Sequence, residues 1–485
     1  MEEIQFEHIL SKEYDGCTAN FLKIGNIGIM FDCGIDEEAN PEILHKYEAY
    51  LPKVDIILLT HATFRHCGAL PYLWKTYDME NISVYATFPV NKLACTCMYE
   101  YFMSQKQMHD FKLFGIEDID EAFERVIPVS FHQKRSIVLK NTTFTIDALN
   151  AGYSLGGAIW VINYLVHKLI YAIDVHDKNE NISEPLLMDE LRDAHFLITN
   201  TYIAPSIDGK KKISRIIPDL SKDRLKYQIK STLLDLLDTE VKPAKVPEGP
   251  STSRDFNQES MDNVPISEVL MNYGLVGKDT DYNSSEYPYA GQYDAEILIC
   301  CDNFSRILEV LLFLEDFADQ NMDLQKIPIL YLEHMSKESL EIARSHIEWL
   351  KNWNNLKNNP GSIDINPLNF KSIKILSREE ELQKYPNPRI VVSSTSSFQL
   401  RHTRNLLPKV LTNKKSKLIF INKQLTSPLW VNLIKNDLKT YTHKKLYVTK
   451  TQKQTDLEAE NEGQNLMDAK MEMQPPAPKE GKTLS

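Results

Sequence analysis

A short apolar run, Val54-Asp-Ile-Ile-Leu-Leu-Thr60, ends abruptly at His61 and is followed by Ala-Thr-Phe-Arg-His-Cys-Gly. A run of that length between polar flanks reads as a buried strand, and a strand buried on both faces needs helices or a second sheet to cover it. Similar runs recur at Ile82–Ala86, Thr143–Ile146, Ile159–Tyr164, Leu169–Ile173 and Phe196–Thr199. Helical text lies between them over Asn91–Gln107 and Asp118–Val126, and Phe21–Phe31 reads as a hairpin turning at Gly25-Asn26. Strands alternating with helices predict an α/β chain with layered sheets.

A second unit begins near Pro205. Strands are expected at Glu296–Cys301, Ile329–Leu332, Arg389–Ser393 and Leu418–Ile421. Helices fall between them at Ser305–Asp319, with Ser305 as N-cap, and at Ser336–Trp353. This order predicts a parallel sheet with crossover helices. Within this second unit, residues 235–296 carry thirteen acids against four bases, and about 240–290 lacks periodicity. That stretch reads as a disordered insertion. Residues 401–450 run the other way, with twelve bases against one acid. Residues 451–485 read as a flexible tail.

Composition removes several classes. No 18-residue apolar stretch exists, so a membrane span is not expected. Met-Glu-Glu-Ile is not the basic start of a secretory signal. The seven cysteines include no CxxC pair and read as reduced core thiols, which suits a cytosolic or nuclear protein. His132, His167, His334 and His346 have no metal-ligand spacing and read as surface or satisfied core residues.

The segment Leu59-Thr-His-Ala-Thr-Phe-Arg-His-Cys-Gly-Ala-Leu-Pro71, then Asn150-Ala-Gly-Tyr153 and Tyr171-Ala-Ile-Asp174, resembles the metallo-β-lactamase fold. More narrowly it is similar to the β-CASP nucleases of RNA 3′-end processing, which hold two zinc ions on H-x-H-x-D-H, H-A-G-H and a strand-end Asp. Here His61 keeps the first position, Thr63 replaces the second His, Arg65 replaces the Asp, and His66 is the last. Tyr153 stands at the end of the second motif, Asn150 at its start, and Asp174 matches the bridging Asp. The acid expected before the β-CASP unit falls at Asn200. Catalytic zinc needs about three protein ligands plus an open water position. Neither zinc position keeps three, and Arg65 brings a permanent positive charge.

The resemblance therefore implies a metallo-β-lactamase-like αββα sandwich over 1–205 with a β-CASP domain over 206–405. A basic segment, 406–450, would return to the first domain. It implies a nuclear, non-catalytic branch of the family without metal or cofactor. Such a protein would pair with the catalytic β-CASP nuclease and with other subunits of the cleavage and polyadenylation complex, and would help to position pre-mRNA. Two alternatives stay open: a metal-dependent RNA endonuclease with divergent ligands, and a pseudoenzyme subunit of a related small-nuclear-RNA processing complex. Arg401, Arg404, Lys414, Lys415 and Lys417 are candidate contacts for RNA or a partner. Lys210, Lys211 and Lys212 are either a further contact or a solvated loop. In this reading Arg65 pairs with Asp174, since a buried, unpaired carboxylate is costly.

Overall fold

A computed structural model describes residues 4–10, 16–37, 39–108, 110–177, 180–199, 229, 296–301, 306–321, 324–351, 366–385, 387–394, 401–412 and 416–421. The first sheet takes its strands in chain order: β1 (Ile4–His8), β2 (Asn20–Ile24), β3 (Ile27–Phe31), β4 (Ile56–Leu58), β5 (Ser83–Thr87) and β6 (Ile127–Val129). The β1, β2 and β3 strands pair antiparallel, and β3 to β6 pair parallel. Gly25 adopts φ 57° in the turn between β2 and β3, as the Gly-Asn pair predicts. The second sheet has the order β11-β10-β9-β8-β7, built from β7 (Arg135–Leu139), β8 (Thr142–Asn150), β9 (Ala158–Tyr164), β10 (His167–Ala172) and β11 (Phe196–Thr199).

The two sheets face each other. Leu22, Ile29, Phe31 and Leu58 of the first meet Ile146, Trp160, Ile162 and Tyr171 of the second in one buried cluster. Phe31 stacks on Tyr171 at 4.1 Å, and Trp160 Nε1 donates to the Leu59 carbonyl at 3.0 Å. The outer face of the first sheet, with Phe21, Met30, Ile57 and Val84, is covered by helices. These are α1 (Pro41–Glu48), α3 (Leu70–Thr76), α4 (Phe88–Met108) and α5 (Ile116–Glu124), with the short α2 (Phe64–Cys67) at the strand ends. Every residue of β3 is therefore buried, as a strand covered on both faces must be.

The second unit is a five-stranded parallel sheet in the order β14-β13-β15-β12-β16. Its strands are β12 (Glu296–Cys301), β13 (Ile329–Leu332), β14 (Ile373–Leu376), β15 (Arg389–Ser394) and β16 (Lys417–Phe420). Its helices are α6 (Ile307–Gln320), α7 (Ser336–Ser345) and α8 (Arg401–Thr412). The face with Ile297, Ile299 and Tyr331 shares one continuous core with α4 and the first sheet, whereas Leu298, Leu330 and Val391 pack with Leu406 and Val410 of α8. Among the described residues, no helix is long and apolar enough to cross a membrane.

Several expectations change. The second helix predicted in this unit ends at Ser345, and a single 3-10 turn over Ile347–Trp349 follows it. The preceding helix starts at Ile307 with Arg306 at its N-cap; Ser305, expected there, lies outside the described residues. Residues 406–420, read as returning to the first domain, instead finish α8 and form β16, which pairs with β12. Strands β6, β7 and β14 and helices α1, α2 and α3 were not expected. The acidic insertion, Asn200 and the tail lie outside the described residues.

Candidate metal centre and its replacement

At the carboxyl ends of β3, β4 and β10 the chain turns sharply and brings polar groups into a buried space. Asp32 follows β3 with φ 59°, and Asp174 follows the end of β10 with φ 47°, a left-handed conformation that Asp tolerates better than most residues. Asp32 is fully buried. It accepts from the Thr60 amide at 2.8 Å, from Thr60 Oγ1 at 2.9 Å and from Thr18 Oγ1 at 3.3 Å. The Thr60 hydroxyl in turn lies 3.0 Å from His61 Nδ1, which fixes that ring. Thr63 Oγ1 lies 2.6 Å from His66 Nδ1, so the residue at the missing ligand position now orients a histidine.

His61 and His66 come together, with ring centroids 5.0 Å apart, and Tyr153 sets its ring edge-on to His61 at 5.8 Å. His66 Nε2 lies 3.4 Å from Asp174 Oδ2, close enough for charge pairing although not aligned as a hydrogen bond. Burial alone would push the His66 imidazolium down, but Asp174 and Asp32 outweigh it and hold the ring above its ordinary value. Burial and then the charge of His66 push His61 down to about 3, so His61 is neutral. Burial raises Asp32 to about 6, against the pull of His66 and Thr60. Because the folded His66 value is raised, its contribution to stability is full below about 6.5 and is lost as pH rises through that folded value.

The expected Arg65–Asp174 pair does not form. Arg65 is 7% exposed, and its Nη2 lies 3.4 Å from Glu37 Oε1, another buried carboxylate. Helix α2 explains the difference: its four residues point Arg65 towards the Asp36–Glu37 loop and leave His66 facing Asp174. Asn150 is spent locally, with its Oδ1 accepting from the Gly152 amide at 2.9 Å and its Nδ2 donating to the Glu184 carbonyl at 3.1 Å. Gly152 has φ 73°, and a Cβ there would lie 2.1 Å from the His176 carbonyl. This loop therefore depends on glycine.

The second unit closes the site from outside. Arg306, at the start of α6, donates Nη2 to Glu180 Oε1 at 2.7 Å, Nη1 to Glu180 Oε2, and Nη1 to the Tyr153 carbonyl at 3.2 Å. Its guanidinium stacks 5.0 Å from the Tyr153 ring. Burial works against that charge, but Glu180 outweighs it and holds the guanidinium well above its ordinary value. Beside it, Glu309 accepts from the Asn181 and Ile182 amides at 2.9 Å each.

A pair of family zinc ions does not fit this donor set. Thr63 is engaged with His66, Arg65 is cationic, and only His61, His66 and Asp174 remain. Among the described residues, no group of three or more His, Cys, Asp or Glu is arranged to hold a metal. His61 Nε2 and His66 Nε2 are nonetheless buried without hydrogen-bond partners.

Sequence reading missed Asp32, Glu37, Glu180 and Arg306. Asp32 leaves a signal, an acid directly after an all-apolar strand, but the Arg306–Glu180 pair joins residues 126 apart and leaves none. Of the basic candidates, Lys417 is half-buried on β16. Arg401 and Arg404 lie on α8, where their side chains are not described. Lys210, Lys211, Lys212, Lys414 and Lys415 lie outside the described residues.

The Metallo-beta-lactamase superfamily domain model matches residues 21–194, and the Beta-Casp domain model matches residues 307–429. The chain is 26% identical over 423 residues to a probable cleavage and polyadenylation specificity factor subunit 2 of Drosophila melanogaster, covering 86% of this chain and 46% of that protein. It is 25% identical over 411 residues to the subunit of that name from Oryza sativa subsp. japonica, covering 84% and 46%. Identity to cleavage factor two protein 2 of Saccharomyces cerevisiae is 23% over 417 residues, covering 83% and 41%. The chain thus spans less than half the length of these curated relatives.

Proposed function

Taking as premise that the chain carries, in order, the two domains of the metallo-β-lactamase/β-CASP family, we propose that it is a non-catalytic subunit in mRNA 3′-end processing. In this reading it acts in the nucleus, pairs with an active β-CASP nuclease and with other subunits of the cleavage and polyadenylation complex, and helps to position pre-mRNA. The names of its relatives support the process.

The observation that carries the non-catalytic reading is the charge at the centre. Arg65 is buried where a metal-binding Asp is expected, and Asp174 and Asp32 outweigh burial and raise the His66 imidazole above its ordinary value. A hydroxide nucleophile at neutral pH needs a metal to lower the pKa of its bound water from 15.7 to about 7. Arg65 supplies no ligand and pairs with Glu37 instead, and His61, His66 and Asp174 leave neither zinc position with three protein ligands. The basic residues Lys414, Lys415 and Lys417, with Arg401 and Arg404, would supply phosphate contacts that tolerate any RNA sequence.

One observation favours a second reading, a metal-dependent endonuclease with divergent ligands: the two buried imidazole Nε2 atoms left without hydrogen-bond partners. Cleavage of a labelled pre-mRNA by the assembled complex separates the two. His61→Gln should leave the rate within about twofold, because no transition-state charge rests on that ring. A loss of about a hundredfold or more, with melting temperature and assembly unchanged, would instead mark His61 as a ligand of a working metal.

A further inference from the structure

A cleft of about 1080 Å³ opens where the two units meet. The first unit supplies Phe88, which begins α4 and is 44% exposed, and Phe131, which precedes β7. The second supplies His346 and Trp349 from the turn after α7. Trp349 meets Phe131 edge-to-face at 4.7 Å, and Phe88 lies 6.4 Å from His346. The cleft thus has rigid aromatic walls held by both units.

Its charge is one-sided. Among the described residues that line it, Glu184, Glu190 and Glu348 are acidic and none is lysine or arginine. The groups that could become positive are His132 and His346, and His132 already faces Glu190 at 3.8 Å. Lysine and arginine carry most of the affinity for a nucleic-acid backbone, so a row of carboxylates disfavours one here. Aromatic faces beside carboxylates are instead the setting for a guanidinium, which stacks on the ring and pairs with the acid. Exposed Leu187 and half-buried Pro185 add an apolar floor beside them. The volume exceeds the roughly 300–1,000 Å³ of small-molecule pockets and suits several residues of extended chain.

We infer that this cleft docks a basic, arginine-bearing segment of a partner protein. The guanidinium lies against Trp349 beside Glu348, and a neighbouring aliphatic residue rests on Leu187. Such a guest touches both units at once and holds their relative position. The inference stands on the cleft alone and holds whether or not the histidine centre is catalytic.

Fluorescence anisotropy of the full chain with a labelled peptide of repeated Leu-Arg-Ser units tests it. Trp349→Ala and the surface change Glu348→Lys should each weaken binding about tenfold. Glu121→Lys, on the exposed face of α5, should leave binding unchanged, and citrulline in place of arginine should abolish it. Equal weakening by Glu121→Lys would show diffuse attraction to an acidic protein and overturn the inference. So would no effect of Glu348→Lys, or displacement of the peptide by an oligouridylate of equal length.

Discussion

Replacing Arg306 with methionine should lower the melting temperature by about 10 °C, the largest effect expected of any single side chain outside the core. The guanidinium is 14% exposed and Glu180 is 6% exposed, so the pair is buried and doubly bonded. Removing one partner of such a pair costs about 3–5 kcal/mol, because the buried Glu180 carboxylate then keeps only the longer contact to His176 at 3.5 Å. In a domain of this size each kcal/mol moves the midpoint by about 2–4 °C. The loss should be local first: the Asn181 and Ile182 amides, held by Glu309 in the same seam, should exchange with deuterium faster. Glu180→Gln in the Arg306→Met background should restore most of the stability, since no unpaired charge then remains. A melting temperature within about 3 °C of the parent for Arg306→Met alone, equivalent to about 1 kcal/mol, would show that this pair does not clamp the units.

Gly34→Ala should be nearly as damaging, for a steric reason. A Cβ at Gly34 would lie 1.8 Å from the Arg65 carbonyl oxygen and 3.0 Å from the Thr18 amide, and both are backbone atoms that no rotamer change can move. Helix α2 rests on this loop through the Cys33 amide to the His66 carbonyl at 2.7 Å and the Ile35 amide to the Phe64 carbonyl at 3.0 Å. The extra methyl must push α2 and its Arg65 and His66 outward, at a cost of about 3 kcal/mol or more. Gly115→Ala is the control, because its Cβ would meet only Asp118 Oδ2 at 3.7 Å and should cost about 1 kcal/mol or less. Urea denaturation measures both. Equal, small losses at the two glycines would mean that α2 is free to shift.

Periodicity made the layered α/β class legible, because strands such as β3 and β9 are apolar on both faces and nothing local contradicts them. The site was legible in its ligand positions but not in its pairings. His61, His66 and Asp174 do converge, as the strand-end motifs implied. The partner of Arg65 was misjudged because the direction of a side chain on a single helical turn depends on how that turn packs. Arg306 was unreadable for a different reason: it acts through Glu180 and Tyr153, which only the docking of the two units brings near. The β16 strand joins the parallel sheet of the second unit as the strand pattern predicts, whereas the boundary drawn at 406 cut it off from that sheet, since a parallel edge strand carries no signal of where its domain ends.

The central claim is that a proton on His66, held by Asp174 and Asp32, stands where the fold would otherwise place a metal. Nitrogen NMR of the histidine side chains in the chain as purified, assigned with His61→Gln and His66→Gln, tests it most directly. At pH 6.5 His66 should be mainly imidazolium and His61 neutral, and both spectra should be unchanged by chelator. Two neutral rings with metal-shifted nitrogens, reverting on addition of chelator, would contradict the claim and restore a metal to the centre.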